Sequence, residues 1–224
     1  MKLTRHNGNF VECLNQIKEA GQVIATARQG MRDRIKAGYE SHYKEKGCWH
    51  PEGTARIERK NYWCLPEFAP TTNYPEETLK ANGNNEYLSL NYLVHPESKK
   101  LFTELIPEIA EADKRKHPQN RRVLISENQG IFLHPSEHLD EVDIALFLAR
   151  NKKLAKDYGE FLKYKCEIDL VRFYQLGNYN NNFGAGFWLS RLGLGIDSGF
   201  YGYNRYFDAC IGSLFGVREV AKSD

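Results

Sequence analysis

The sequence predicts an α+β protein with a largely antiparallel sheet and several helices. Three observations lead to this prediction. Segments with apolar residues at helical spacing are mixed with segments that alternate apolar and polar residues. These segments follow no regular strand–helix repeat, which a parallel sheet would require. Prolines and glycines break the region from Gly47 to Asn85 into short pieces, as in a protein rich in turns.

Length and composition are typical of an intracellular protein. With 224 residues the chain can bury one core, so we expect a single domain over residues 1–224, with residues 1–46 as a possible helical subdomain. The 31 Lys and Arg residues nearly balance the 29 Asp and Glu residues, which argues against a strong field for nucleic acid or membranes. The five cysteines have no disulfide spacing, and no signal peptide or apolar span is visible. We therefore expect a soluble, cytoplasmic protein without a membrane partner.

A long helix is predicted near the N-terminus. Apolar residues at helical spacing run from Phe10 to Tyr39, and the helix either continues to about Lys46 or divides near Gly21 or Gly30. Its second half carries a basic face that could contact phosphates, formed by Arg28, Arg32, Arg34 and Lys36. Interspersed acidic residues favour a solvated helix face over a nucleic-acid site.

The middle of the chain predicts strands and one interrupted helix. Residues 55–65 read as one strand, and residues 87–94 as a better one with its apolar side chains on one face. A helix should follow Pro96, with Pro107 kinking or restarting it. Residues 121–133 predict a β-hairpin whose turn is residues 127–130.

Two further helices and two strands are predicted beyond this hairpin. One helix begins at Pro135 and runs to about Ala149, and a shorter one covers residues 154–162. Alternation of apolar and polar residues then predicts a strand over 164–170, which could pair with a second strand at 188–196.

A C-terminal amphipathic helix is the clearest helical pattern in the chain. Its apolar stripe consists of Tyr203, Tyr206, Phe207, Cys210, Ile211, Leu214 and Phe215. The region before and within it is rich in glycine, asparagine and aromatic residues, a composition that suits a contact surface. The candidate binding residues are Tyr179, Asn181, Phe183, Trp188, Arg191, Tyr201, Tyr203 and Arg205. The alternative is that these rings fill the core beneath the last helix.

Two clusters could in principle support metal or acid–base chemistry. Cys48, His50 and Cys64 include zinc-type ligands, yet one residue separates the first two where a zinc knuckle has two to four. His134 and His138 would share a helix face, with Asp197 as a further carboxylate, but Pro135 places His134 at or before the helix start. We therefore expect no metal, no cofactor and no catalytic residue.

These observations favour a non-enzymatic binding protein of the adaptor or inhibitor type. Its C-terminal third would contact another macromolecule, which we expect to be a protein. One alternative is a hydrolase or transferase that uses His134, His138 and Asp197. Another is a nucleic-acid-binding protein that uses the basic N-terminal helix.

Overall fold

The computed structural model describes residues 3–8, 10–39, 41, 43, 47–69, 88–89, 99–126, 130–175, 183–189, 192, 199–202 and 213–217. Helices and strands are mixed along this part of the chain, and most strand pairs are antiparallel. The predicted α+β class is therefore confirmed.

The N-terminal region contains two short helices where one long helix was predicted. Its elements are β1 (Thr4–Asn7), α1 (Phe10–Glu19), β2 (Val23–Ile24) and α2 (Ala27–Ala37). The first helix ends before Gly21, whose φ of 60° is left-handed, and β2 leaves to join the sheet. A capping box at Thr26 begins α2, and Gly38 at φ 80° follows its end. A single helix to Lys46 does not form, and the observed break is the alternative division near Gly21.

The predicted strand over residues 55–65 is a β-hairpin. It consists of β3 (Cys48–Ile57) and β4 (Lys60–Cys64), with Ile57 opposite Lys60. Glu58 and Arg59 form the connection with φ values of 48° and 69°, which is the backbone geometry of a tight two-residue turn. All of β3 is buried, and so is β4 after Lys60, whereas Glu58, Arg59 and Lys60 at the turn are exposed.

The next elements confirm the interrupted helix and contradict the second hairpin. They are β5 (Leu88–Ser89), a π-helical turn (Leu101–Leu105), α3 (Ile106–Asp113), β6 (Val123–Ser126) and β7 (Ile131–Pro135). Pro107 lies in the first turn of α3, and the π-helical turn before it accommodates its missing N–H, so the α-helical pattern restarts at Ile106. β6 pairs with β4, whereas β7 pairs with β8 (Leu170–Tyr174), so the two strands form no hairpin with each other.

Two helices lie between β7 and β8. A 3₁₀ segment (Ser136–Glu141) precedes α4 (Asp143–Ala149), and Asn151 caps α5 (Lys152–Lys165). Both predicted helices exist, but Pro135 ends a strand and begins no helix. The strand predicted over 164–170 was wrong, because α5 continues to Lys165 and the strand begins at Leu170.

The C-terminal strands are β9 (Phe183–Leu189), β10 (Gly199–Tyr201) and β11 (Ser213–Val217). β11 pairs with β1, β2 and β3, so the predicted C-terminal helix was wrong over these residues. Gly216 favours a strand over a helix here, because it fits closely against Gln22 and glycine is a poor helix former. The remainder of that predicted helix, residues 203–212, lies outside the described residues.

The sheet separates two hydrophobic cores. Its strand order is β1-β11-β3-β9-β10-β8-β7, with β2 on β11, β4 on β3, β5 on β9 and β6 on β4. Residues of α2, α4 and α5 pack with Cys48, Phe173 and Phe200 in one core. The second core contains residues of α1 and α3 with Trp49, the neighbour of Cys48 on the opposite face of β3.

Candidate binding face

Three neighbouring strands present an apolar surface, in which Tyr201 is half-buried and Tyr174 is only 9% exposed. Strand pairing aligns Ile131 with Tyr174 and Tyr174 with Tyr201, while Leu133 lies opposite Arg172. Directly paired residues point to the same side of a sheet. We call this surface the tyrosine face; its residues are Ile131, Leu133, Leu170, Arg172, Tyr174 and Tyr201.

A stack of phenylalanines holds the three strands from the other side. The ring centroids of Phe132 and Phe173 are 4.8 Å apart, and those of Phe173 and Phe200 are 4.9 Å apart. Tyr158 of α5 meets Phe200 edge-on at 6.3 Å. Because side chains alternate along a strand, anchoring these rings in the core fixes the neighbouring residues on the outward side.

The two tyrosines form a rigid pair. Their ring centroids are 4.2 Å apart and their planes differ by 16°. The guanidinium of Arg172 donates a hydrogen bond of 2.6 Å to the Tyr174 hydroxyl. A Cβ on Gly199 would meet the Tyr201 ring and the Arg172 carbonyl, so only glycine allows this close approach. Contacts within the chain therefore hold the pair in this arrangement.

Aliphatic side chains extend this surface into solvent. Ile131 is 59% exposed, Leu133 is 48% exposed and Leu170 is 37% exposed. Contiguous exposed apolar residues beside aromatic and arginine side chains are typical of an interaction surface.

The predicted binding residues are only partly placed by the structure. Tyr201 lies on the tyrosine face, and Trp188 is its register partner on β9. Phe183 begins β9. The other predicted residues lie outside the described part of the chain: Tyr179, Asn181, Arg191, Tyr203 and Arg205.

Sequence reasoning missed the rest of the tyrosine face. Leu170, Arg172 and Tyr174 recur at every second position, which is the signal of one strand face. The prediction placed this strand about six residues too early, so the alternation after Leu170 was not used.

The histidines proposed for acid–base chemistry are not arranged as expected. His134 lies on β7 and His138 in the following 3₁₀ segment, so they share no helix face. His138 pairs with Glu141 at 3.4 Å. Asp197 lies outside the described residues. In the described part of the chain, no three His, Cys, Asp or Glu side chains converge to hold a metal.

The cysteines of the zinc hypothesis lie on opposite sides of the sheet. Cys48 Sγ is 3.2 Å from His50 Nε2, and both side chains are buried in β3. Cys64 instead packs in the second core, where burial raises the pKa of its thiol. The three residues therefore do not form one site.

Arg34 belongs to no phosphate-binding surface, because it is 1% exposed. Its guanidinium donates to the Tyr158 hydroxyl at 3.1 Å, to Cys48 Sγ at 3.3 Å and to the Leu189 carbonyl at 3.0 Å. Its place in the predicted basic face was wrong. We call the group Arg34, Cys48, His50, Glu52 and Tyr158 the buried polar cluster.

Charges within the buried polar cluster shift each other's pKa values. Burial alone would raise the pKa of the Cys48 thiol, but Arg34 and His50 outweigh burial and lower it to about 7. Burial opposes protonation of His50, yet Cys48 and Glu52 raise its pKa. Glu52 accepts the Ala27 N–H at 3.0 Å, at the first turn of α2. The cluster thus ties α2 to β3 and β9 inside the protein.

No helix in the described part of the chain is both long and apolar enough to cross a membrane. Neither a known protein family nor a curated protein matches the sequence. A solved structure does match, reported under the heading "Accommodation of massive sequence variation in Nanoarchaeota by the C-type lectin fold". The two chains are 12% identical over 97% of each, with a TM-score of 0.58. This likeness shows that the chain has the C-type lectin fold.

Proposed function

We propose that this chain is a binding protein that holds another protein against its tyrosine face. The observation that carries the proposal is the exposed apolar pair Ile131 and Leu133, which borders the half-buried Tyr201 stacked on the buried Tyr174. Rigid aromatic rings give a large contact area at a low cost in conformational entropy.

The composition of the face favours a protein over a nucleic acid. Tyrosine and arginine are enriched among the residues that dominate binding energy at protein interfaces. A nucleic-acid site would need several cations aimed at phosphates. Within the described residues of the tyrosine face, Arg172 is the cation, and its guanidinium already bonds the Tyr174 hydroxyl.

The fold favours a binding surface that is carried by a fixed scaffold. The matching solved structure is described as a C-type lectin fold that accommodates massive sequence variation. We propose that the same scaffold here supports a contact surface that extends from Tyr201 to the predicted residues Tyr179, Asn181, Tyr203 and Arg205. The chain would act as an adaptor or inhibitor.

A reducing compartment such as the cytoplasm fits the cysteines. In the described part of the chain, Cys13, Cys48, Cys64 and Cys166 are buried thiols outside any disulfide, and none depends on oxidation for its packing. We therefore propose that the chain meets its partner inside the cell.

To test the proposal, a photo-crosslinking amino acid replaces Leu133 and captures the bound protein. The captured protein is then purified, and its affinity for variants of this chain is measured by titration. We expect Ile131→Asp and Tyr201→Ala to weaken its binding about tenfold or more, because each removes central contact area. Tyr164→Ala is the control, since Tyr164 is 69% exposed on α5, away from the face. Equal affinity of all three variants, each folded, would refute the assignment.

A further inference from the structure

An open cleft of about 930 Å³ separates β6 from β7, the two strands that fail to pair. Leu124, Ile125 and Ser126 all line it. Consecutive strand residues point to opposite faces, so three in a row can line one space only along the strand's edge. From β7 the cleft receives Phe132 and His134, which lie on one face of that strand. The cleft therefore runs along the backbone edge of β6.

The edge of β6 that borders the cleft is unpaired in the described part of the chain. β6 pairs with β4 alone there, in the register that sets Leu124 opposite Trp63. The Leu65 N–H donates to the Arg122 carbonyl at 3.2 Å, so these two residues are a hydrogen-bonded pair. This pair fixes which residues of β4 and β6 exchange hydrogen bonds. The alternation of an antiparallel pair then directs the N–H and C=O groups of Val123 and Ile125 away from β4. Such a row of free groups is a template for another strand.

The floor of the cleft is apolar. Leu124, Phe132, Val142 and Ile144 line it, and Leu124 and Ile144 are almost fully buried. An occupant that follows the β6 edge would place apolar side chains on this floor.

Cations stand at both ends of the β6 edge. Ser126 pairs with Asn61, so Lys60 and Arg59 lie just beyond that end. Lys114 and Arg121 line the cleft at the other end, near Val123.

Three carboxylates also line the cleft, and each has a lysine, a histidine or a helix dipole next to it. Glu111 pairs with Lys114 at 3.4 Å, and Glu141 pairs with His138 at 3.4 Å. Asp143 lies in the first turn of α4, where the helix dipole favours a negative charge. The lining as a whole carries four cations, Arg59, Lys60, Lys114 and Arg121, against these three carboxylates, so its excess is one positive charge.

We propose that the β6 edge binds an extended peptide segment of another protein, with apolar residues at its centre and acidic residues at both ends. The segment adds a strand to β6, sets its apolar side chains against the half-buried Phe132, and places its carboxylates near Lys60 and Lys114. This site lies apart from the tyrosine face and does not depend on it.

The test uses a fluorescent peptide of about seven residues, a typical strand length, with aspartate at both ends and alternating valine and threonine between. Fluorescence anisotropy measures its binding to the whole chain. Two control peptides isolate the two parts of the proposal: one carries N-methyl groups on alternate backbone amides, and one has lysine at both ends. We expect each change to weaken binding about tenfold or more, because it removes the ladder hydrogen bonds or the charge complementarity.

The protein side of the test is the double variant Lys60→Glu and Lys114→Glu, with Lys156→Glu as the control. Lys156 is exposed on α5 and, like Lys114, has an acidic partner one helical turn away. We expect the double variant to bind the acidic peptide about tenfold more weakly and Lys156→Glu to leave it unchanged. No binding of the acidic peptide at millimolar concentration would overturn the proposal. So would equal binding of the N-methylated peptide, or equal binding by the double variant.

Discussion

The guanidinium of Arg34 lies 3.3 Å from the sulfur of Cys48, although both side chains are inaccessible to water. An isolated charge in such a place would be costly, so the two groups stabilise each other. The same guanidinium also bonds Tyr158 of α5 and the carbonyl of Leu189 in β9. One side chain thus connects α2, which lies in the N-terminal part of the sequence, with α5 and β9, which lie in its second half.

Replacing Arg34 should have a larger effect than replacing any other basic residue of α2. Arg34→Met removes the positive charge that faces Cys48 and leaves the Tyr158 hydroxyl and the Leu189 carbonyl without their donor. We expect a loss of about 3–5 kcal/mol in the free energy of unfolding, measured by urea denaturation. Arg32→Met, an exposed change on the same helix, should cost less than about 0.5 kcal/mol. Similar losses for the two variants would contradict the role given to Arg34.

The Cys48 thiol should make stability depend on pH. Its folded pKa is about 7, below the value of about 8.5 for an unperturbed thiol. A lowered pKa means that its contribution is complete above pH 8.5 and is lost as the pH falls through 7. The difference in unfolding free energy between the wild type and Cys48→Ala should therefore rise by about 2 kcal/mol over this interval.

His50 acts in the opposite direction and must be followed in the same experiment. Its pKa is raised, so its contribution is complete below about pH 6.5 and is lost as the pH rises through the folded pKa. The difference in absorbance near 240 nm between the folded wild type and Cys48→Ala, measured against pH, reports the Cys48 thiolate. A thiol that titrates only above pH 9 would contradict the assignment.

Asp113 should protect the protein against acid. This buried carboxylate accepts the Arg122 backbone N–H at 2.7 Å, the Arg122 side chain at 3.1 Å and Lys116 Nζ at 2.6 Å. Although burial opposes ionisation, these bonds hold the pKa of Asp113 well below its usual range. Its contribution is complete above the unfolded pKa of about 3.9 and is lost only below it.

Asp113→Asn should therefore lower the unfolding free energy at pH 7 by about 1–3 kcal/mol and flatten its dependence on pH below 4. Chemical denaturation at pH 3, 4 and 7 measures both effects. Glu111→Gln is the matched control, because Glu111 is exposed on the same helix. An acid transition shared by wild type and Asp113→Asn would exclude this carboxylate as its source.

Gly159 should tolerate no side chain. A Cβ there would overlap the backbone carbonyl of Ser136, where α5 crosses the 3₁₀ segment. Alanine usually stabilises a helix by about 1 kcal/mol relative to glycine, but here we expect a net loss of about 1–3 kcal/mol from the clash. Thermal unfolding compares Gly159→Ala with Lys156→Ala on the exposed side of α5. A stabilised Gly159→Ala variant would show that the two elements can move apart.

Local patterns in the sequence predicted elements well where neighbours in sequence are also neighbours in space. Pro107 restarts a helix as expected, because its effect is confined to one turn. The apolar spacing of α5 predicted a helix before Lys165 correctly. Partner choice is not local: β6 and β7 look like a hairpin, yet each pairs with a strand more distant in sequence.

Besides strand pairing between distant segments, buried polar residues caused wrong predictions from the sequence. Cys48, His50 and Glu52 alternate along a buried strand, but such residues indicate a surface when only composition is considered. Their partners include Arg34, the Ala25 carbonyl and the Ala27 N–H, and no spacing in the sequence reveals these contacts. The tyrosine face was missed for a related reason, since Ile131 and Tyr174 meet only through strand pairing.

The pairing of β1 with β11 has a consequence for biosynthesis. Thr4 lies opposite Gly216, and β11 also joins β3, so it links the first strand to the centre of the sheet. A ribosome must therefore translate through Val217 and release those residues from its exit tunnel before β1 gains its neighbour. Until then the apolar residues of α1 lack part of their support, so we expect this segment of the nascent chain to expose apolar surface.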